Sequence, residues 1–240
     1  MQQQISMKAG AINLVTTPGD GFTSPNSPLE RIEHEHKLRS TLDPRSDGFQ
    51  TSLDGPSFAE GTIYREELVD IKTKRITETG KLEVDEERKE RQINETPFLY
   101  IKGEAWIPRS TGSPAARNIF EQITGSNIME ARIDTESFAR EHSEATLRDV
   151  IGPDTEGQLS SIRASGPNAG SDSLTKRIGD SRVQTSYENL EWRDRRLYMT
   201  LTKSGYVEIY RDQSGGDITS SEFAHFIVDE VLPHAYIPDE

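Results

Sequence analysis

Leu197-Tyr198-Met199-Thr200-Leu201-Thr202-Lys203-Ser204-Gly205-Tyr206-Val207-Glu208-Ile209-Tyr210-Arg211 alternates apolar and polar residues on both sides of a Ser-Gly pair. Period-two alternation around a glycine-containing break predicts a β-hairpin. Two registers compete. A two-residue loop at Ser204-Gly205 sets Leu201 opposite Glu208 and Met199 opposite Tyr210. A three-residue loop, Lys203-Ser204-Gly205, sets Leu201 opposite Val207 and Met199 opposite Ile209. The second register gathers the aliphatic residues on one face and puts Gly205 where a bulged loop needs positive φ, so it is the one expected.

Downstream, Thr219 and Glu222 have capping-box spacing, and Ile218 and Phe223 fit a hydrophobic staple across the cap. Phe223, Phe226, Ile227 and Val231 then recur at helical spacing, and Pro233 follows. A helix over 220–231 is expected to pack on the Leu197/Met199/Leu201/Val207/Ile209 face. Burying such side chains contributes roughly 1.5–3 kcal/mol each, enough for a small core.

The other hairpin face carries the candidate site. Tyr198 lies opposite Tyr210 in the preferred register, with Tyr206 nearby and Arg193, Arg195 and Arg196 at the entry to the first strand. From Ser161 to Arg211 nine bases face six acids, a local +3 on a chain of net charge −13. Aromatics and arginines on an open sheet face suit single-stranded nucleic acid, which stacks on rings and is neutralised by guanidinium groups. The same residue types dominate protein–protein contacts, and a Tyr pair is also ordinary cross-strand packing.

Upstream, Leu68 to Thr77 is rich in Val, Ile and Thr, Thr79-Gly80 makes a turn, and Lys81 to Ile93 returns as a charged strand. Its charged exposed face predicts a sheet edge or a solvated hairpin. Phe98 to Ile107 reads as a strong strand ended by Pro108. Ser113, Pro114 and Gly125 bracket a helix with Ile119, Phe120 and Ile123 on one side. Asn127 to Ile133 alternates, with Met129, Ala131 and Ile133 on one face. Asp134 caps a second helix expected to reach about Asp149, before Gly152-Pro153.

Residues 1–60 read differently. Pro and Gly recur and apolar residues are sparse, so an extended, poorly structured arm is expected. Inside it Ser27, Pro28 and Glu30 suit a helix start, and Leu29, Ile32 and Leu38 would be its contact residues. That stripe is too thin to hold a helix without a partner surface. The expected organisation is thus an arm over 1–60, the first half of an α+β body over 61–151, a long loop over 152–181, and a β-hairpin with its C-terminal helix over 182–240. The fold class is α+β: an antiparallel sheet with about three packed helices.

Composition excludes several functions. There is no Cys, which removes disulfides, thiolate nucleophiles and Cys-ligated metal centres. The acidic surface repels phosphate and anionic lipid at long range. No apolar run approaches the ~20 residues that cross a bilayer, and Met1-Gln2-Gln3-Gln4 is not a secretory leader, so a cytoplasmic location is expected, or a virion if the source is viral. Acid excess with 28 bases of which few are Lys suits work in high salt, as in a salt-loving prokaryote or its virus.

The histidines give little. His34-Glu35-His36 would chelate from one face of a strand but diverges on a helix. His142, between Glu141 and Glu144, could be a general base, although solvent exposure on a helix explains it too. His225 and His234 fit helix-edge packing and a tail. Neither a nucleophile elbow nor a phosphate loop is present. No metal and no cofactor are expected. The reading that follows is a non-enzymatic interaction or assembly protein, partnered by another protein or by its own copies, with single-stranded nucleic-acid binding or a small motif-free enzyme as alternatives.

Overall fold

The computed structural model describes residues 7–239 apart from 20–21, 23–26, 46–48, 52–54, 110–113, 156–158, 168, 179–180 and 213–215. In chain order the strands are β1 (Ala9–Ala11), β2 (Asn13–Thr17), β3 (Leu29–Glu33), β4 (His36–Pro44), β5 (Gln50–Thr51), β6 (Ser57–Ile76), β7 (Leu82–Ile101), β8 (Ala105–Pro108), β9 (Asn127–Glu130), β10 (Arg132–Ile133), β11 (Thr146–Gly152), β12 (Ile162–Ser165), β13 (Gln184–Trp192), β14 (Arg195–Thr202), β15 (Tyr206–Asp212) and β16 (Ala235–Tyr236). The helices are α1 (Pro114–Thr124), α2 (Thr135–Glu141), α3 (Ser173–Ile178) and α4 (Ser220–Phe226).

The chain is α+β but mostly antiparallel sheet, with short helices rather than a helical layer. One sheet runs β1-β15-β14-β13-β11-β12 and a second runs β3-β4-β6-β7-β8-β2-β9, with β5 on β6. Period-two alternation along β7 explains the layering: Leu99 and Ile101 point into the core between the sheets, while Phe98 and Tyr100 point away from it. The inter-sheet core joins them to Met199, Leu201, Val207 and Ile209, and α4 seals it with Phe223, Phe226 and Ile227. On the opposite face of the second sheet, α1 drives Phe120 among Phe98, Tyr100 and Trp106, with ring centroids 5.3, 5.1 and 5.4 Å away.

The C-terminal hairpin follows the expected register: Leu201 pairs with Val207 and Met199 with Ile209, and Gly205 has φ +88°. A bulge between Tyr198 and Met199 then shifts the ladder, so Tyr198 pairs with Arg211 rather than Tyr210. The capping box of Thr219 and Glu222 is complete. Beyond Phe226 the helix widens into a π-type turn through Val231 instead of staying α-helical.

Four expectations are corrected. First, the described residues within 1–60 are not an arm. β1 pairs with β15 in one sheet and β2 pairs with β8 and β9 in the other, so the segment stitches the two sheets together. Met7, Ile12, Leu38 and Leu42 are buried. Second, the helix expected from Ser27 or Pro28 to Thr41 is the β3–β4 hairpin. His34 and Glu35 form its turn, both at positive φ, and Leu38, Ser40 and Leu42 alternate inward. Third, the helix begun by Asp134 stops at Glu141, and Thr146–Gly152 pairs with β12 and β13. A bulge near Arg148 disrupts its alternation and hid the strand. Fourth, the long loop over 152–181 contains β12 and α3. The expected Ser113 cap lies outside the described residues. Helix α1 ends where Gly125 takes φ +73°.

Candidate functional site

The most prominent feature is a projection. β6 and β7 pair continuously from Phe58/Ile101 to Ile76/Leu82. The neighbouring strand β4 leaves β6 at Arg65, and β8 leaves β7 at Phe98. From Glu66 outward the pair has no other strand beside it among the described residues, and eleven further residues carry it roughly 35 Å at about 3.3 Å per residue. Its root is clamped: Glu66 Oε2 accepts the Arg39 amide at 2.7 Å, and Arg91 donates to the Lys37 carbonyl at 3.2 Å.

The tip is built by its turn. Thr77 N donates to the Lys81 carbonyl at 2.8 Å, Lys81 N returns a bond to Thr77 Oγ1 at 3.1 Å, and Gly80 supplies φ +80°. Ile76 pairs with Leu82 and Lys74 with Val84, so all four stand on one face. Ile76, Leu82 and Val84 are 74%, 62% and 55% exposed, an apolar patch held in water at the end of the ribbon. Lys72 and Glu87 pair across it at 2.8 Å, and that bond holds the Lys72 ammonium pKa above its ordinary value. Taken over both strands, from Lys72 to its partner Glu87, the ribbon end carries four bases and five acids, so it is close to neutral on a chain of net charge −13.

The sequence-derived Arg/Tyr site divides. Tyr198 and Tyr210 come together with centroids 5.2 Å apart, and Tyr206 lies on the same strand as Tyr210 with its hydroxyl 3.4 Å from Glu208. Burial, and then Glu208, raise the Tyr206 phenol pKa. The arginines are engaged by acids, although Arg196 stands two positions before Tyr198 on the same strand. Arg193 packs over Trp192 and meets Asp229 at 2.9 Å and His225 Nδ1 at 3.1 Å. Arg195 bridges Asp212 at 2.7 Å and Glu222 at 2.5 Å, and Arg196 meets Glu191 at 3.6 Å. Each guanidinium therefore faces a carboxylate. Of the supposed arm contacts, Leu38 is fully buried, Leu29 half-buried, and Ile32 is 81% exposed on β3.

A histidine cluster escaped the sequence reading. His142 is buried rather than exposed, against Phe138 with centroids 4.3 Å apart. Its Nε2 lies 3.4 Å from Glu230 and its Nδ1 3.8 Å from Glu144, while His234 meets Glu141 at 3.0 Å. Burial lowers the His142 pKa against the pull of Glu144 and Glu141, and burial followed by Asp229 raises that of Glu230. A groove of about 290 Å³ opens beside it, lined by Arg140, His142, Ser143 and Arg182 among others. No signal local to the sequence links residues 142 and 230. The His34-Glu35-His36 stretch sits at the β3–β4 turn, and among the described residues no cluster of three or more His, Asp or Glu side chains could hold a metal.

Comparison of the chain with protein-family models, with curated proteins and with solved structures finds no match. Among the described residues no helix is long and apolar enough to cross a membrane.

Proposed function

We propose that this chain is a non-enzymatic interaction and assembly protein, a subunit that engages another copy or another protein through the β6–β7 ribbon. The ribbon carries the reading. A two-stranded hairpin alone in water is marginally stable, and its open edges and exposed Ile76, Leu82 and Val84 are costs that a monomer has no reason to bear. A partner surface removes both costs. The N-terminal segment has no part in this, because its strands are already used inside the body. The acidic composition supports work at high salt, inside a cell or a virion.

The test is the mass of the protein purified from its native source, in native salt, by light scattering. A complex well above the 27.0 kDa chain supports the reading. A lone 27.0 kDa monomer with no co-purifying protein contradicts it.

The His142–Glu230 pair supports a second reading as a small acid–base enzyme. An imidazole kept neutral beside a carboxyl of raised proton affinity is what general acid–base work requires. Turnover of chromogenic carboxyl or phosphate esters that vanishes in folded His142→Gln supports it, and absence of turnover in the parent removes it. Nucleic-acid binding is the weakest reading, since the arginines it needs already face acids.

A further inference from the structure

We infer that the groove between the end of α2, the start of β11 and Arg182 binds a small oxyanion, a compound carrying a carboxylate or a phosphate group. The inference needs neither the assembly reading nor the acid–base one. It rests on a guanidinium without a carboxylate. Arg182 is half-buried, and its Nε is sealed from solvent with no hydrogen-bond partner among the described residues. The other half-buried arginines of the described residues, Arg31, Arg65, Arg117, Arg148, Arg177 and Arg195, each stand at ion-pair distance from a carboxylate. Arg182 has no such acid among the described residues. Its charge is felt instead by the Tyr187 phenol, whose proton affinity burial raises and Arg182 opposes. A guanidinium drawn half out of water gives up hydration, and no described acid replaces it.

The backbone fixes where this group stands. The Arg182 carbonyl accepts from Thr135 Oγ1 at 3.3 Å, and the Val183 amide donates to the Ile151 carbonyl at 2.8 Å. Arg182 lines the groove of about 290 Å³ with Arg140, His142 and Ser143. Glu136 is the one acid in that lining, and Arg140 reaches it only at 4.0 Å. Two guanidinium groups therefore meet a single carboxylate there. Glu144 and Glu230 stand by His142, at 3.8 and 3.4 Å, and are not part of the lining. His142 is 7% exposed, and despite Glu230 its Nε2 makes no hydrogen bond, so a second buried polar atom without a partner borders the same groove. A guanidinium grips two oxygens of one carboxylate or phosphate in parallel, and the Ser143 hydroxyl offers a further donor. Ala139, Ala145 and Leu147 give the groove an apolar wall for a short carbon chain. Sites for small molecules usually span roughly 300–1,000 Å³, so this one suits a ligand of few atoms. The chain's charge of −13 repels anions at a distance, but at molar salt that reach falls to about 3 Å and the short contacts decide.

The test is an NMR titration of the full chain at constant pH and ionic strength, with inorganic phosphate, with acetate, and with methylammonium as a cation control. A saturable shift of the His142 ring signals and the Ser143 amide with phosphate, acetate or both supports the site, and the anion that saturates it names the class. Arg182→Gln should raise the midpoint at least about ten-fold, and Arg182→Lys, which keeps the charge but not the fork, should fall between the two. Unchanged Phe138 and Tyr187 ring signals show that a variant is folded. If Arg182→Gln does not fold, Arg140→Gln at the exposed rim takes its place and should weaken binding about three-fold. Shifts that rise without saturating, that appear equally with methylammonium, or that persist unchanged in the variant overturn the inference. Each of those results leaves the assembly reading standing.

Discussion

The backbone amide of Ile12 donates to the carbonyl of Gly205 across 2.9 Å, tying an N-terminal strand segment to the turn that organises the C-terminal hairpin. The Ile12 carbonyl in turn accepts from Ala131 at 3.2 Å. Three distant parts of the chain meet at this point, where the two sheets join.

Gly205 is therefore sensitive to substitution. Its φ is +88°, and a Cβ there would stand 2.7 Å from the Ala131 carbonyl oxygen and 3.3 Å from that of Ile12. Gly103 has φ +76° and nothing within 4 Å. Both Gly→Ala variants carry backbone strain of about 1–3 kcal/mol. Gly205→Ala should lose more than Gly103→Ala in chemical denaturation, and the difference reports the clash. Equal losses would show that the junction yields freely.

The α4 cap should behave as an ordinary capping box. Thr219→Ala removes the acceptor for the Glu222 amide and should cost about 1 kcal/mol. Burial pushes the Glu222 carboxyl up, but the Thr219 amide and hydroxyl, with Arg195, outweigh it and hold the pKa below the ordinary value. The carboxylate's contribution is thus present above the unfolded value of 4.5 and is lost as pH falls through the folded one. Glu222→Gln should flatten that acid limb in pH-dependent unfolding.

His142 acts at a higher pH. Its folded pKa lies below the ordinary 6.5, so the unfolded chain takes up the proton first. Stability should fall as pH drops below about 6.5 and level off under the folded pKa. His142→Gln should remove this loss. An NMR titration placing His142 at or above 6.5 would contradict the burial argument.

The Tyr198–Tyr210 contact reads as cross-strand packing beside acids. Tyr198→Ala with Tyr210→Ala should cost roughly 0.5–1.5 kcal/mol of stability beyond lost burial. Fluorescence anisotropy should detect no single-stranded oligonucleotide binding to the parent at low salt. Tight, salt-sensitive binding lost in the double variant would reinstate the nucleic-acid reading.

Local patterns were legible where one physical signal dominated. The 197–211 register followed from putting Leu201 opposite Val207, and the α4 box from Thr219 and Glu222, because each choice buries aliphatics or satisfies amides within a few residues. The β3–β4 segment misled because Ser27, Pro28 and Glu30 imitate a helix start, while its true signal, Leu38-Ser40-Leu42 at period two, was short. Asp134 was a correct cap, but nothing local says that the helix ends at Glu141. The ribbon strands were readable on either side of Thr79-Gly80. That they project was not, since projection depends on where β4 and β8 leave them. The meeting of His142 and Glu230 is likewise tertiary.

The direct measurement is on the ribbon itself. Replacing residues 68–91 with Asn-Gly closes the hairpin at the Glu67/Gln92 pair and leaves the Phe98, Trp106 and Phe120 core untouched. The shortened chain should keep its cooperative unfolding transition and lose the assembled mass of the parent, in side-by-side light scattering. Retention of the parent's assembled mass by the shortened chain would contradict the account.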